Sequence, residues 1–337
     1  MFDIVFLGTS ASAPSIHRGL SSAAVLAGEE RFLIDCGEGT QRQILRSGIG
    51  FKRLNRILLT HPHLDHILGL GGLVSTFTRW ESMDELHIWG GSATLERVHS
   101  LLFDVVLRNQ RPPIPIHLNT VTPGVLARQK KYTVSAFPVV HRGPGCFGYI
   151  FQEDTHRPFL AEKANALGVP FGPERSQLVR GETVTLADGR VISPEMVLDE
   201  AIPGVKIVFT GDVGRIETVR EAAQDADALV IEGTFMHAER DMARQFGHIT
   251  IRQAAELAAE ANCRYLLITH VSRRYREQDM VAEAKSIFPN AFVVRDFDQF
   301  TLRRGKPIIK QHASYRNNPD AKAEIIDQLP EYDDDAT

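Results

Sequence analysis

Leu58-Leu59-Thr60-His61-Pro62-His63-Leu64-Asp65-His66 is the stretch that decides the reading of this chain. An apolar, strand-like run over 56–60 stops in three histidines and one aspartate. Imidazole nitrogen and carboxylate oxygen together suit zinc and related divalent ions. One catalytic zinc usually takes three protein ligands and keeps a water. Four candidates at a single strand end exceed that, so the spacing H-x-H-x-D-H predicts two adjacent metals. The competing reading is a polar loop with chance histidines.

Outward from this stretch, apolar and β-branched runs recur at 4–7, 31–35, 85–89, 132–140, 206–210, 228–231, 265–269 and 291–294. Each is short and usually stops at Gly, Asp or His, as buried strands do. Between them, 39–47, 92–107, 216–226, 249–262 and 279–288 place apolar residues at helical intervals. Strands mixed with helices over this length predict an α/β protein in layers, helices covering sheet faces. The polar residues then fall into a pattern. The run at 132–140 ends in His141, the run at 206–210 leads into Gly211-Asp212, and the run at 265–269 ends in His270. Such residues converge only if the strand ends share one edge of the architecture, where α/β sheets place their sites. His61, His63, Asp65, His66, His141, Asp212 and His270 together match a dinuclear hydrolytic centre. Two metals about 3.5–4 Å apart can deprotonate a water and stabilise both attacking and leaving oxygens.

Bulk properties set the frame. The 337 residues are 43% hydrophobic and 24% charged, enough for a substantial core in an ordinary water-exposed surface. No stretch approaches the roughly 20 apolar residues of a membrane span. The opening Met1-Phe2-Asp3-Ile4 has no basic segment and no cleavage site, so no export signal is expected. Cys36, Cys146 and Cys263 are odd in number and far apart, which fits a reducing compartment, and a cytoplasmic location is expected. The net charge of −4 is unevenly spread: residues 318–337 hold seven acids and one lysine, leaving the rest slightly basic. The first 308 residues therefore read as one catalytic domain, and 309–337 as an acidic tail without fixed structure. Residues 152–182 are polar, mixed in charge and too long for an ordinary connection, so they read as a protruding arm.

At the seven candidate ligands the chain resembles the metallo-β-lactamase superfamily, and within it the ribonuclease Z family of tRNA 3′-processing endonucleases. Phe6-Leu7-Gly8-Thr9-Ser10 and Phe32-Leu33-Ile34-Asp35-Cys36-Gly37-Glu38-Gly39-Thr40-Gln41 look like that family's first loops. His270-Val271-Ser272-Arg273-Arg274-Tyr275 looks like its last ligand motif. Gly168-Val169-Pro170-Phe171-Gly172-Pro173, followed by 181–190, is similar to the flexible arm that grips the tRNA elbow. The resemblance covers about residues 2–304. It implies a four-layer αββα sandwich with a protruding flexible arm, inserted here at about 152–182.

It also implies roles. One zinc would sit on His61, His63, His141 and Asp212, the other on Asp65, His66, Asp212 and His270, with manganese or iron as alternatives. Asp65 would double as the proton acceptor that orients the hydroxide. Gly247-His248-Ile249-Thr250 resembles the family's G-H-S-T segment, whose histidine meets the scissile phosphate or the leaving oxygen. Glu232 matches the glutamate of its H-E-A-T segment, orienting His248 or supporting a ligand. Independently of the family, His248 stands just before a helical pattern, a place that suits phosphate.

Some positions depart from the family pattern. Leu64 stands where the family usually has Gly, Ile231 replaces the H-E-A-T histidine, Val213 follows Asp212 where Thr is favoured, and only Pro14 and Arg18 fit its early loop. None removes a ligand. The expected activity is removal of the 3′ trailer from pre-tRNA by a homodimer, leaving a 3′-hydroxyl on the tRNA and a 5′-phosphate on the trailer. A hydrolase of small phosphodiesters, sulfate esters or lactones on the same core is the alternative. Phosphate contacts would come from Arg18, Arg273, Arg274 and Arg276, with Gly172 and Pro173 serving in the arm. Arg128, Lys130 and Lys131 read rather as a solvated loop.

Overall fold

In a computed structural model, described for residues 1–80, 83–313 and 324–325, the apolar runs become strands of two large sheets. Strands β1 (Phe2–Gly8), β2 (Ser22–Ala27), β3 (Glu30–Ile34), β4 (Arg56–Leu58), β5 (Leu86–Gly90) and β6 (Ile116–Thr120) come first. They are followed by β7 (Gly124–Arg128), β8 (Tyr132–His141), β9 (Gly143–Glu153), β10 (Val184–Thr185) and β11 (Val191–Ile192). The rest are β12 (Lys206–Phe209), β13 (Ala228–Glu232), β14 (Tyr265–Thr269), β15 (Ala291–Val293), β16 (Asp298–Leu302), β17 (Ile309–His312) and β18 (Glu324–Ile325). One sheet has the order β18-β17-β16-β1-β2-β3-β4-β5-β6, the other β15-β14-β13-β12-β9-β8-β7.

Alternation along β1 shows how the layers form. Phe2, Ile4 and Phe6 point between the sheets and meet Tyr149 and Phe151 of β9. Val5 and Leu7 point the other way, into a core shared with Ile44, Leu73 and Phe77 of helices Thr40–Ser47 and Leu70–Trp80. On the second sheet Val208, Leu229, Ile231, Leu266 and Ile268 carry the apolar face of helix Ile251–Glu260. Two sheets each covered by helices make the αββα sandwich. Each fully buried Phe or Leu contributes about 1.5–3 kcal/mol to holding it. β3, β4, β5 and β6 run parallel, as do β12, β13, β14 and β15, so their C-terminal ends gather on common edges. Helix Ile251–Glu260 starts at a capping box: the Thr250 hydroxyl accepts from the Gln253 amide, and the Gln253 side chain accepts from the Thr250 N–H. That box fixes the segment carrying His248.

Several elements escape the sequence pattern. Ser22–Ala27 is alanine-rich and β9 opens on Gly143-Pro144-Gly145, so neither has the β-branched signature of a strand. Helix Leu70–Trp80 contains Gly71-Gly72, which masks its period. The helical pattern at 92–107 becomes helix Ser92–His99 continued by a wider turn over Ser100–Val106. The pattern at 216–226 splits into a tight turn at Ile216–Thr218 and a short helix Arg220–Ala223.

Residues Glu153–Gly204 form a compact unit of their own, so the segment expected at 152–182 is the first part of something longer. It holds helices Ala161–Ala166, Pro173–Val179 and Pro194–Val197 and the hairpin β10–β11, around a small core of Ala164, Val169, Leu178, Val184, Leu186, Ile192 and Val197. The tail boundary also moves. Ile309–His312 pairs with β16 and Glu324–Ile325 with β17, anchored where Ile308 enters the inter-sheet core. Residues 314–323 and 326–337, also expected to lack structure, lie outside the described residues.

Candidate metal centre

Each candidate ligand sits where a strand ends. His61 follows the β4 run, and Asp65 and His66 lie in the one-turn helix Leu64–Ile67 with His63 at its N-cap. His141 is the last residue of β8, Asp212 comes just after β12, and His270 directly follows β14. Two bends aim the last pair. His270 takes a left-handed φ of 51°, and Gly211 a φ of 64°. A Cβ on Gly211 would lie 2.6 Å from the Thr60 Cβ, so this turn needs glycine for both its conformation and its space.

All seven side chains converge. His61 Nε2 lies 3.0 Å from His63 Nδ1, which lies 3.4 Å from His141 Nε2. Asp212 Oδ2 stands 3.5 Å from His61 Nε2 and 3.8 Å from His141 Nε2. In a second group, His270 Nε2 is 3.4 Å from Asp65 Oδ2 and 3.5 Å from Asp212 Oδ2. His66 Nε2 is 3.5 Å from Asp212 Oδ1 and 3.8 Å from Asp65 Oδ2. Separations of 3.4–3.8 Å are too long for good hydrogen bonds, yet they are the edge lengths expected of ligands held about 2.0–2.2 Å from a common ion. His66 Nε2 and Asp212 Oδ1 are buried without any hydrogen-bond partner, an expensive state for polar atoms that a cation would relieve. The donor set fits a metal cofactor.

The outer nitrogens of His61, His66, His141 and His270 are each committed. His141 Nδ1 donates to the Gly247 carbonyl at 2.7 Å. The Thr60 hydroxyl donates to Asp35 Oδ2 at 2.8 Å and so accepts from His61 Nδ1 at 2.9 Å. Asp35 also takes the Thr60 N–H at 2.7 Å and His66 Nδ1 at 2.8 Å. The Thr234 hydroxyl donates to Glu232 Oε2 at 2.5 Å and accepts from His270 Nδ1 at 2.9 Å. These partners fix each ring's tautomer and leave Nε2 of His61, His66, His141 and His270 facing the centre.

Electrostatics agree. Burial, with the neighbouring histidines, holds His61 far below the ordinary imidazole range and brings His63 down to about 4. Burial would raise Asp212 and Asp65, but the surrounding histidines outweigh it and hold both carboxyls low. Neutral imidazole and ionised carboxylate are the forms that bind metal. His66 goes the other way: burial opposes its charge, yet Asp212 and Asp35 lift it to about 10. The site demands positive charge.

His248 and Glu232 stand beside this cluster. His248 Nδ1 lies 2.9 Å and 3.0 Å from the two Glu232 oxygens, and 3.9 Å from Asp212 Oδ2. Against the cost of burial, the Glu232 charge lifts His248 to about 9. Glu232 also accepts the Val213 N–H at 2.7 Å, so it both orients His248 and braces the Asp212 turn. Above lies a cleft of about 450 Å³, lined among others by His63, Asp65, Arg142, His248, Arg273 and Arg274.

The expected phosphate contacts fare unequally. Arg273 is exposed in the cleft. Arg274 lines it too, but ion-pairs with Glu239 at 2.8 Å. Arg276 is exposed and lines a different, shallower hollow with Glu277 and Arg295. Arg18 is committed elsewhere: it donates to Thr9 and the Val294 carbonyl and ion-pairs with Glu277 at 2.9 Å, so it ties the first loop down rather than presenting charge. Gly172 caps helix Pro173–Val179 with φ 130° beside the exposed Phe171, whose ring carries the Arg175 guanidinium 3.7 Å from its centroid. Two residues were missed from sequence. Asp35, though quoted in a motif, is an acid closing a strand parallel to β4, which is a readable signal; Arg142, directly after a ligand, is another.

Comparison with known proteins follows the same lines. The model of the metallo-beta-lactamase superfamily matches residues 18–129, and that of the beta-lactamase superfamily domain matches 196–271. The chain is 45% identical over 302 residues to ribonuclease Z of Bradyrhizobium diazoefficiens, covering 90% of this chain and 100% of that one. It is 37% identical over 300 residues to ribonuclease Z of Archaeoglobus fulgidus, covering 88% and 96%. Among solved structures, human tRNase Z, short form, superposes with a TM-score of 0.61 at 23% identity, over 89% of this chain and 99% of that one. A diphosphatase of the PhnP family shares the fold at a TM-score of 0.61 and 15% identity, over 90% and 99%. Identity at this level, sustained over nine-tenths of the sequence, makes the chain a member of the ribonuclease Z family within the metallo-beta-lactamase superfamily.

Proposed function

We propose that this protein is the metal-dependent endonuclease that removes the 3′ trailer from pre-tRNA. The observation that carries the reading is the seven-residue cluster beneath an arginine-lined cleft, in a chain 45% identical to a ribonuclease Z. The ligands would be His61, His63, His141 and Asp212 for one ion, and Asp65, His66, Asp212 and His270 for a second, with zinc the metal best matched to this donor set. Such ions, when bound, supply a water of lowered pKa and neutralise the phosphate.

The chain's own groups do the rest. Asp65, held by the Ser12 N–H at 3.0 Å, receives the proton of the attacking water. The hydroxyl joins phosphorus and the bond from phosphorus to the ribose 3′-oxygen breaks. His248, gripped through Nδ1 by Glu232, offers its other nitrogen and gives a proton to that leaving oxygen. The products are a tRNA with a 3′-hydroxyl and a trailer with a 5′-phosphate. Arg142, Arg273 and Arg274 set the backbone along the cleft. Arm residues Gly172 and Pro173, with exposed Phe171, would add contacts to the tRNA.

A small-ester hydrolase on the same core has support from fold likeness alone, as in the 15% identical diphosphatase. The proposal extends to a homodimer and to a cytoplasmic location. Cys36, Cys146 and Cys263 are all buried free thiols, and no helix among the described residues is long and apolar enough to cross a membrane. Incubating the purified protein with a 3′-extended pre-tRNA, with and without chelator, tests the central claim. A single cut after the discriminator base is expected, abolished by chelation and restored by Zn2+. Persistence of the full-length precursor in the metal-loaded reaction would overturn it.

A further inference from the structure

Glu85, His87 and His117 lie at the N-terminal ends of β5 and β6, level with Arg56 at the start of β4 and so at the opposite strand end from His61. Leu86 and Ile88 point into the helix-covered core, so period two sends Glu85, His87 and Trp89 to the opposite face. On the neighbouring parallel strand, His117 stands in register with His87, at the edge of the sheet. The two imidazoles stack with centroids 4.6 Å apart and planes 16° from parallel, and His87 stacks in turn on Trp89 at 5.3 Å. Both rings aim Nε2 at one carboxylate. His87 Nε2 is 3.0 Å from Glu85 Oε1, and His117 Nε2 is 3.3 Å from Glu85 Oε2.

A hydrogen-bonded pair needs only one imidazole per carboxylate. Here a second ring is held beside the first by the sheet ladder, its nitrogen on the same side, and one ligand atom from each of the three residues falls within 4.8 Å of the others. Two strands in fixed register pre-organise the set, so little conformational entropy is lost on binding. Two imidazoles and one carboxylate suit Zn2+, Ni2+ or Cu2+, and not Mg2+ or Ca2+, which prefer all-oxygen shells. With His117 at 45% side-chain exposure, water has free access to the remaining coordination positions.

We propose that Glu85, His87 and His117 form a separate surface site for a divalent transition metal, which clips edge strand β6 to β5. Binding there stabilises the folded chain by RT ln(1 + [metal]/Kd), so the gain grows with the logarithm of free metal. Hydrolysis does not depend on it, so its failure would leave the catalytic reading untouched.

The test counts metal. Protein with its catalytic centre loaded is dialysed against micromolar free Zn2+, and zinc per chain is measured for the wild type, His117→Ala and Glu85→Gln. The wild type should hold one zinc more than either variant, while all three cleave pre-tRNA alike. In a Trp80→Phe background, Cu2+ should quench Trp89 fluorescence saturably, and His117→Ala should shift that quench at least 10-fold to higher Cu2+. Equal zinc content in all three proteins, or a quench unmoved by His117→Ala, overturns the proposal.

Discussion

At the residue scale, Glu232 joins the two halves of the candidate site. One carboxylate reaches His248, the Thr234 hydroxyl behind His270, and the Val213 amide behind Asp212. Glu232→Gln keeps the size but presents an N–H2 where acceptors are needed. The expected loss in kcat on pre-tRNA is 10–100-fold, about 1.4–2.7 kcal/mol, with a measurable fall in metal affinity. His248→Ala should separate the roles: a kcat loss of about 10²–10⁴ with metal content and KM retained marks a proton donor. Metal lost in step with activity would mark it instead as part of the metal's support. Gly211→Ala tests geometry. Strain at φ 64° and the 2.6 Å approach to Thr60 together predict about 1–3 kcal/mol of destabilisation in a denaturant melt, with reduced metal content because Asp212 is displaced. The candidate ligands were legible because each lies at or just beyond the end of an apolar run. Asp35 and Arg142 were overlooked because their meaning depends on a neighbouring strand and a cleft wall, which spacing along one segment does not encode.

At the element scale, helix Glu277–Lys285 is tied to the first loop through a three-residue ion network. Glu277 accepts from Arg18 at 2.9 Å and from Arg295 at 2.7 Å, while Arg18 also holds Thr9 and the Val294 carbonyl. Burial would raise the Glu277 carboxyl, but the two guanidiniums outweigh it and hold it below its usual value of 4.5. A depressed carboxylate contributes stability that is fully present above the unfolded pKa and is lost as pH falls through the folded value. Glu277→Gln should therefore cost about 1 kcal/mol at neutral pH, after allowing for its partial exposure. The gap should close as pH drops below 4.5, and urea melts across that range measure it. A constant gap down to acid pH would mean that packing, not charge, makes the link. The same network shows where element-level reading stops. Arg18 was expected to contact phosphate because it fits the family's early loop. Its partner lies 259 residues away in sequence, and only folding brings the two together.

At the scale of the whole molecule, the chain divides into the sandwich and the unit Glu153–Gly204, and a division of labour between them is testable. Composition found the unit's beginning but not its end, because residues 183–204 carry two short strands and a helix whose apolar residues serve a small local core. The sandwich does not need that unit to close. Gln152 at the end of β9 pairs directly with Lys206 at the start of β12, so a tight turn can replace everything between them. Joining Gln152 to Val205 through a short Asn-Gly link should give a chain that folds, binds metal and hydrolyses bis-p-nitrophenyl phosphate within a few-fold of the wild type. On pre-tRNA the same chain should lose kcat/KM by 10² or more, chiefly through KM, if the unit contributes binding that is equal in the ground and transition states. Ionic strength sharpens the test. If the unit supplies phosphate contacts through Lys163, Arg175 and Arg180, its removal should flatten the salt dependence of pre-tRNA binding. An unchanged KM with an unchanged salt slope would return the choice of substrate to the cleft itself, and to Arg142, Arg273 and Arg274 within it.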